Sequence, residues 1–466
     1  MKVSFHGAAR CVTGSKHLIS LDNGKKILLD CGLFQGMGSE TAILNTTFGF
    51  RPKEIDYVIL SHAHIDHVGL LPKLVMEGFR GKIFCTSATK AFAELLLEDS
   101  GKIQQSEASF INKRRKRQGR ELIIPLYTQD DVPAVIEKIQ TIKIREWYQI
   151  DKDVKVLHTD AGHIIGSTCV HLEIKEGEHI HRITFSGDVG RYNDTILRAP
   201  DIFPQADIII MESTYGNRLH DKITSYTEQL LKLIVETCIL KRGKLIIPSF
   251  SLGRTQELLY ALNTLSLQKR LPPVAYYVDS PLSVETTELT KHYPQLFNDQ
   301  VQEVLKRDDD PFDFKGLKMI KDVEASKALN FNSEPAVIIS SSGMAEAGRV
   351  KHHISNNIEN SKNTILLVGY CEPNSLGGRL KAKSDEVKIF GKIHQVNARI
   401  EEIVGMSAHG DYTDLLHWLE GQDVKKVKRL FLVHGEYEAQ VAMREHLMEK
   451  GFKNIEIPDM HQSFEI

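Results

Sequence analysis

The sequence has no long apolar run. None exceeds five residues, as at 274–278, where about 18 are needed to cross a bilayer. A transmembrane helix is excluded on that count. Residues 1–7 carry Lys2 with no apolar stretch behind it and read as a folded strand, so a cleaved secretory signal is not expected. Cysteine is sparse: the six residues Cys11, Cys31, Cys85, Cys169, Cys238 and Cys371 form no CxxC pair. That excludes a disulfide framework or a cysteine zinc cage and leaves buried, reduced thiols. Neither sign of charge dominates. With 59 basic against 61 acidic residues the formal net charge is −2, so the chain is no global polyanion coater, although a local basic channel stays open. No internal repeat or low-complexity linker divides it. A soluble, cytoplasmic protein is the expectation.

What is present is ordinary globular material, 41% hydrophobic and 26% charged, enough for burial to offset the entropy of ordering. A chain of 466 residues is long for one core, so two packed units are expected. Short apolar runs alternate with helical patterns, which predicts an α/β protein. The strand candidates are 27–30, 57–61, 82–85, 183–186, 208–211, 244–248, 274–279, 336–340, 364–369 and 429–433. Most end in a polar or catalytic-type residue, and in open α/β sheets ligands sit beyond the carboxyl ends of strands. Histidine-rich motifs fall in the first 190 residues and again near His409 and His434. This layout predicts one domain, 1–216 with 400–466, interrupted by an insertion at 217–399.

The strongest motif is Ser61-His62-Ala63-His64-Ile65-Asp66-His67, placed between a strand and an apolar helical pattern at 68–76. Imidazole nitrogen and carboxylate oxygen suit zinc, and His62 with His64 could face one ion while Asp66 and His67 face another. His163, flanked by glycines, and Asp188, in Ser-Gly-Asp after a strand, supply further ligand types, Asp188 as a carboxylate able to bridge. Asp30, also at a strand end, reads as an orienter of ligand histidines rather than a ligand.

These residues resemble the metallo-β-lactamase superfamily, and the rest of the chain is similar to its β-CASP nuclease branch. The branch motifs correspond to Glu212 in Met-Glu-Ser-Thr-Tyr-Gly, His409 in Ser-Ala-His-Gly-Asp, and His434 in Val-His-Gly-Glu. The resemblance implies an αββα sandwich interrupted by an α/β β-CASP domain, with two zinc ions held by His62, His64, Asp66, His67, His163, Asp188 and His434. Zinc ions sharing Asp188 would bring a bridging water to a pKa of about 7, giving a hydroxide to attack an RNA phosphodiester. His409 would protonate the leaving ribose oxygen, with Glu212 favouring its charged form, and Asp66 and Asp188 complete the catalytic set. The implied partner is single-stranded RNA held between the two domains, cut endonucleolytically, with 5′-to-3′ exonucleolytic action also open. No membrane partner is implied, and a homodimer is one open assembly.

Ser341 and Ser342 lie in a small-residue turn between strand and helix that resembles the family's serine-rich loop, and they are candidate phosphate grips. Arg254 and Lys351 are weaker ones. His352 and His353 point about 100° apart on a helix, which suits polar residues facing surface or phosphate better than chelation of one ion. The basic block Lys113, Arg114, Arg115, Lys116, Arg117 and Arg120 is either a solvated face or a contact for RNA backbone. Two other functions share the fold: a metallo-hydrolase of a small thioester or lactam, and an inactive scaffold.

Overall fold

Each apolar run singled out above is a strand, because alternate residues face two covered sides of a sheet. In Ile208–Glu212, Ile208 and Ile210 join a core between two sheets, while Ile209 and Met211 pack outward against helices. The computed structural model describes residues 1–220, 226–369, 371–403 and 406–466. Its contacts group into two units, Met1–Leu219 with His409–Ile466, and His220–Ala408.

The first unit holds two seven-stranded sheets. One runs Ser463–Glu465, Lys2–Phe5, His17–Ser20, Lys26–Leu29, Tyr57–Ile59, Lys82–Cys85, Ile139–Thr141. The other runs Ile455–Glu456, Arg429–Val433, Ile208–Glu212, His179–Phe185, Thr168–Glu176, Val154–Asp160, Tyr148–Gln149. Val3, Phe5, Ile27, Leu29 and Ile59 from the first sheet meet Val156, Leu172, Phe185, Ile210 and Phe431 from the second in one hydrophobic core. On the outer face of the second sheet, Leu415 and Trp418 of helix Tyr412–Trp418 and Met443 and Leu447 of helix Tyr437–Glu449 cover Ile209, Leu430 and Leu432. The parallel strands Lys26–Leu29 and Tyr57–Ile59 in one sheet, and His179–Phe185, Ile208–Glu212 and Arg429–Val433 in the other, deliver the functional side chains from their carboxyl ends.

The second unit is built on a six-stranded parallel sheet in the order Leu317–Ile320, Ala275–Asp279, Ala336–Ser340, Lys244–Pro248, Thr364–Leu367, Arg399–Glu402. Because Arg399–Glu402 pairs with Thr364–Leu367, the chain stays in this unit beyond residue 399. All six cysteines are buried and free. Among the described residues no helix is long and apolar enough to cross a membrane.

Candidate metal centre

Strand ends at the margin of the sandwich bring seven ligand-type side chains together, in two groups that share Asp188. In the first, His62 Nε2 and His163 Nε2 each lie 3.2 Å from His64 Nδ1, and they lie 3.5 and 3.4 Å from Asp188 Oδ2. Four donors around a tetrahedral cation at about 2.0–2.1 Å stand about 3.3–3.4 Å apart, so these edges fit such an ion. In the second, His67 Nε2 is 3.3 Å from His434 Nε2 and 3.3 Å from Asp188 Oδ1, and Asp66 Oδ2 is 3.4 Å from His434 Nε2. Asp188 Oδ1 is buried and accepts no hydrogen bond from any described residue, a vacancy in its bonding that a cation would fill.

The outer contacts of the rings aim their lone pairs inward. Asp30, fully buried, accepts from Ser61 N at 2.8 Å, from Ser61 Oγ at 2.7 Å and from His67 Nδ1 at 2.7 Å. Ser61 Oγ, having given its proton to Asp30, is left to accept from His62 Nδ1 at 3.0 Å. Thr214 Oγ1 donates to the His434 carbonyl at 3.0 Å and accepts from His434 Nδ1 at 3.0 Å. Each Nδ1–H is thereby tied, and Nε2 of His62, His67 and His434 faces the centre as an acceptor. Ser61 and Thr214 stand in the quoted motifs, but the sequence gives neither a role. Their only signal is adjacency: Ser61 precedes His62 and Thr214 follows Glu212 by two residues.

Close backbone approach makes room for this. A Cβ on Gly32 would lie 1.5 Å from the Asp66 carbonyl, and one on Gly190 would lie 1.8 Å from that of Gly162, next to His163. Gly187, with φ of 55°, turns the chain from the strand end into Asp188.

Charge follows the same layout. Burial pushes His64 down to about 4 and, with His67, holds His62 well below its ordinary value, so both present neutral lone pairs. Burial works to raise Asp188, but His434, His67, His62 and His409 outweigh it and keep the carboxylate ionised. Burial would lower His67, yet Asp188, Asp66 and Asp30 hold it well above its ordinary value. A proton and a metal ion compete for that nitrogen.

Beside the shared carboxylate stands a second pair. Glu212, fully buried, accepts from Val189 N at 2.5 Å and faces His409 Nδ1 with both oxygens, at 3.2 and 3.1 Å. His409 Nδ1 is 4.0 Å from Asp188 Oδ2. Burial opposes a charge on His409, but Glu212 and then Asp188 raise it to about 9. Glu212 and His409 could also join a ligand set with Asp188 and His434, since one donor atom from each lies within 4.8 Å of the others.

The remaining candidates lie in the second unit. Ser341 Oγ is 2.7 Å from Ser280 Oγ, and Ser342 Oγ bonds the Ala347 backbone at 3.3–3.4 Å. Arg254 is buried and paired with Glu257, and Lys351 Nζ donates to the Glu346 carbonyl at 3.0 Å. His353 corrects an expectation. It faces neither surface nor phosphate but is fully buried, with Nε2 2.6 Å from Asp279 Oδ2 and Nδ1 2.9 Å from Asn330 Oδ1. The reason is the helix Arg349–Asn357: position 353 falls on its buried side with Val350, Ile354 and Asn357, and a buried imidazole needs polar partners.

Comparison with known proteins agrees with this architecture. A family model described as the metallo-beta-lactamase superfamily matches residues 13–234, a Beta-Casp domain matches 255–380, and a Zn-dependent metallo-hydrolase RNA specificity domain matches 393–458. The chain is 35% identical over 451 residues to Ribonuclease TTHA0252 of Thermus thermophilus, covering 97% of each chain. It is 29% identical over 459 residues to Transcription termination factor FttA of Methanosarcina mazei, covering 97% of this chain and 69% of the relative. Cleavage and polyadenylation specificity factor 73 of Drosophila melanogaster is 30% identical over 417 residues, 89% of this chain and 57% of the relative.

Proposed function

Because the chain belongs to the β-CASP branch of the metallo-β-lactamase superfamily, a branch of phosphodiester-cleaving metallo-hydrolases, we propose that it is a zinc-dependent ribonuclease. The observation that carries this reading is Asp188, whose two carboxylate oxygens each face a separate group of histidine nitrogens while the Glu212–His409 pair stands alongside. His62, His64, His163 and Asp188 would hold one zinc ion, and Asp66, His67, His434 and Asp188 the other. Zinc bound there supplies Lewis-acid polarisation of a phosphoryl oxygen and a water acidified toward neutral pH.

The protein's own groups do the rest. Asp30, Ser61 and Thr214 keep the ring nitrogens aimed, so no reorganisation is needed when substrate arrives. His409, protonated at neutral pH through Glu212, gives its proton to the departing ribose oxygen. In the inserted unit Ser341 and Ser342 grip a substrate phosphate. Arg254 and Lys351 can assist only by exchanging Glu257 and Glu346 for phosphate. The reaction is endonucleolytic, with 5′-to-3′ exonucleolytic trimming as a second mode, and it takes place in the cytoplasm, where the buried thiols stay reduced.

The test uses 5′-labelled RNA bearing a monophosphate, a triphosphate or a hydroxyl, incubated with protein of measured zinc content. About two zinc equivalents and a ladder of fragments are expected, and mononucleotide release would mark the exonucleolytic mode. Turnover of a thioester or lactam with RNA untouched would overturn the proposal.

A further inference from the structure

The helix Ser87–Arg117 begins at the metal centre and ends far from it. At its start Thr86 and Thr89 donate to the Gly166 carbonyl, at 3.1 and 2.8 Å, in the loop that follows His163. At 1.5 Å per residue, the 31 residues carry Arg117 about 45 Å along the axis. The buried side chains of the helix run from Ala88 to Ala108 and stop there. Beyond Ala108 it is an arm, braced by the returning segment 118–126. Asn112 exchanges two hydrogen bonds with the Ile123 backbone, each 2.8 Å, Arg115 donates to the Glu121 carbonyl, and Leu126 N donates to Gln104 at 3.1 Å.

The arm ends in Lys113, Arg114, Arg115, Lys116 and Arg117, with Arg120 after them and no acidic residue between Glu107 and Glu121. Among the described residues none of these six cations forms an ion pair. Lys73 and Lys143 elsewhere in the same unit, by contrast, are paired with Glu77 and Glu146. Five successive helical positions at 100° steps encircle the axis with charge. Like charges three and four residues apart repel, at Lys113 with Lys116 and Arg117 and at Arg114 with Arg117. The helix dipole favours cations near its carboxyl end, but that accounts for one or two and not for a ring. A polyanion would relieve the repulsion. Phe110, 78% exposed, lies three and four residues before Lys113 and Arg114 and so on their side of the helix, where it offers a ring for a base to stack on. Ile111, Leu122, Ile123 and Ile124 are exposed at the same level, so anionic vesicles are the competing ligand that the test below must separate from RNA.

We propose that this arm is a second RNA-binding surface, which takes the phosphate backbone of single-stranded RNA about 40 Å along the helix from the loop of His163. The inference rests on the ribonuclease reading for its choice of polyanion. It adds a length rule: a stacked strand rising about 3.4 Å per nucleotide needs about 12 nucleotides to cover that distance, so only longer RNA engages both the centre and the arm.

The test compares the wild type with a variant carrying Lys113→Gln, Arg114→Gln, Lys116→Gln and Arg117→Gln, which keeps Arg115 and its brace. Binding of fluorescein-labelled RNA of 25 and 6 nucleotides is read by anisotropy at several salt concentrations, with cleavage of the same RNAs by the zinc-loaded protein. For the 25-mer the variant should bind at least tenfold more weakly, with the slope of log affinity against log salt reduced by up to about 3, the contribution of four phosphates on a single strand. The fourfold variant should leave the 6-mer unchanged in binding and cleavage, and the melting temperature should not fall. Phe110→Ala should weaken the 25-mer about fivefold without altering the slope. Unchanged 25-mer binding and slope in the fourfold variant overturn the inference, as does an equal loss on both lengths. Loss of binding to anionic vesicles with RNA unaffected assigns the arm to lipid and overturns it too. Length-dependent binding without cleavage in the wild type defeats the ribonuclease reading and leaves the arm standing.

Discussion

His409 holds a proton at neutral pH because Glu212 and Asp188 outweigh the burial that opposes it, raising it to about 9. As the proposed donor to a leaving oxygen it must be protonated, so turnover should fall as pH climbs through that value. In Glu212→Gln the nearest opposing charge is gone, and this alkaline limb should move toward neutral pH in a pH–rate profile. An unshifted limb would show that Glu212 does not set the proton on His409. His409→Ala should keep its zinc by metal analysis yet lose roughly 10² to 10⁴ in rate, whereas His434→Ala should lose zinc. Reversed outcomes exchange the two roles. At this scale the sequence is informative where residue type is rare for its setting. Four ligand-type residues in a six-residue turn stand out, and so does a carboxylate after Ser-Gly. Ser61 and Thr214 do not, because hydroxyl residues are common in turns and only the distances to Asp30, His62 and His434 give them a task.

Among elements, the loop that carries His163 depends on its neighbour at residue 190. Gly190 N donates to the Ala161 carbonyl at 2.7 Å, and the missing side chain lets the two loops touch. Gly190→Ala should drive the His163 loop outward, because the new carbon meets backbone rather than a flexible side chain. We expect a loss of about 1–3 kcal/mol in denaturant unfolding, typical of overpacking, and at least tenfold weaker binding of the first of two zinc equivalents in a metal titration. Two equal, unweakened equivalents would show that the loop has room to spare. Ten strands are legible as apolar runs, but Val154–Asp160 and Thr168–Glu176 are not, although they pair over seven positions. Their interiors hold polar residues: His158 Nδ1 bonds Thr168 Oγ1 at 2.6 Å, and His171 bonds Thr159 and Thr184 at 2.8 and 3.0 Å. A sheet that pairs its buried imidazoles with neighbouring hydroxyls, at one nitrogen of His158 and both of His171, loses the apolar pattern by which strands are recognised.

For the molecule as a whole, those same imidazoles contribute to the response to acid. Burial lowers His158 and His171 to about 3, while in an unfolded chain each titrates near about 6.5. Below that value the unfolded chain takes up protons that the folded one refuses. Their contribution to stability is therefore full above about pH 6.5 and declines as pH falls toward 3, by up to about 1.4 kcal/mol per pH unit for each histidine. Urea unfolding of chelated protein at pH 7.5 and 5.5 should show this decline, and a variant with both His158→Gln and His171→Gln should show a shallower one. Equal slopes would place the acid sensitivity elsewhere. The interrupted layout is legible because ligand-type motifs flank a stretch without them. Where the insertion closes is not, since Arg399–Glu402 is a mostly polar strand that shows its allegiance only by pairing with Thr364–Leu367. The first sheet is likewise joined from both ends of the chain: Lys2–Phe5 lies between His17–Ser20 and Ser463–Glu465, and Ile466 N donates to the Met1 carbonyl at 2.9 Å. Lys2–Phe5 thus stays paired on one side alone until Ser463–Glu465 docks, a contact of very high sequence separation. The ligands are split in the same way: His67 and His434 lie on opposite sides of the insertion in the sequence, so the metal group they share closes only after the whole inserted segment has been looped out.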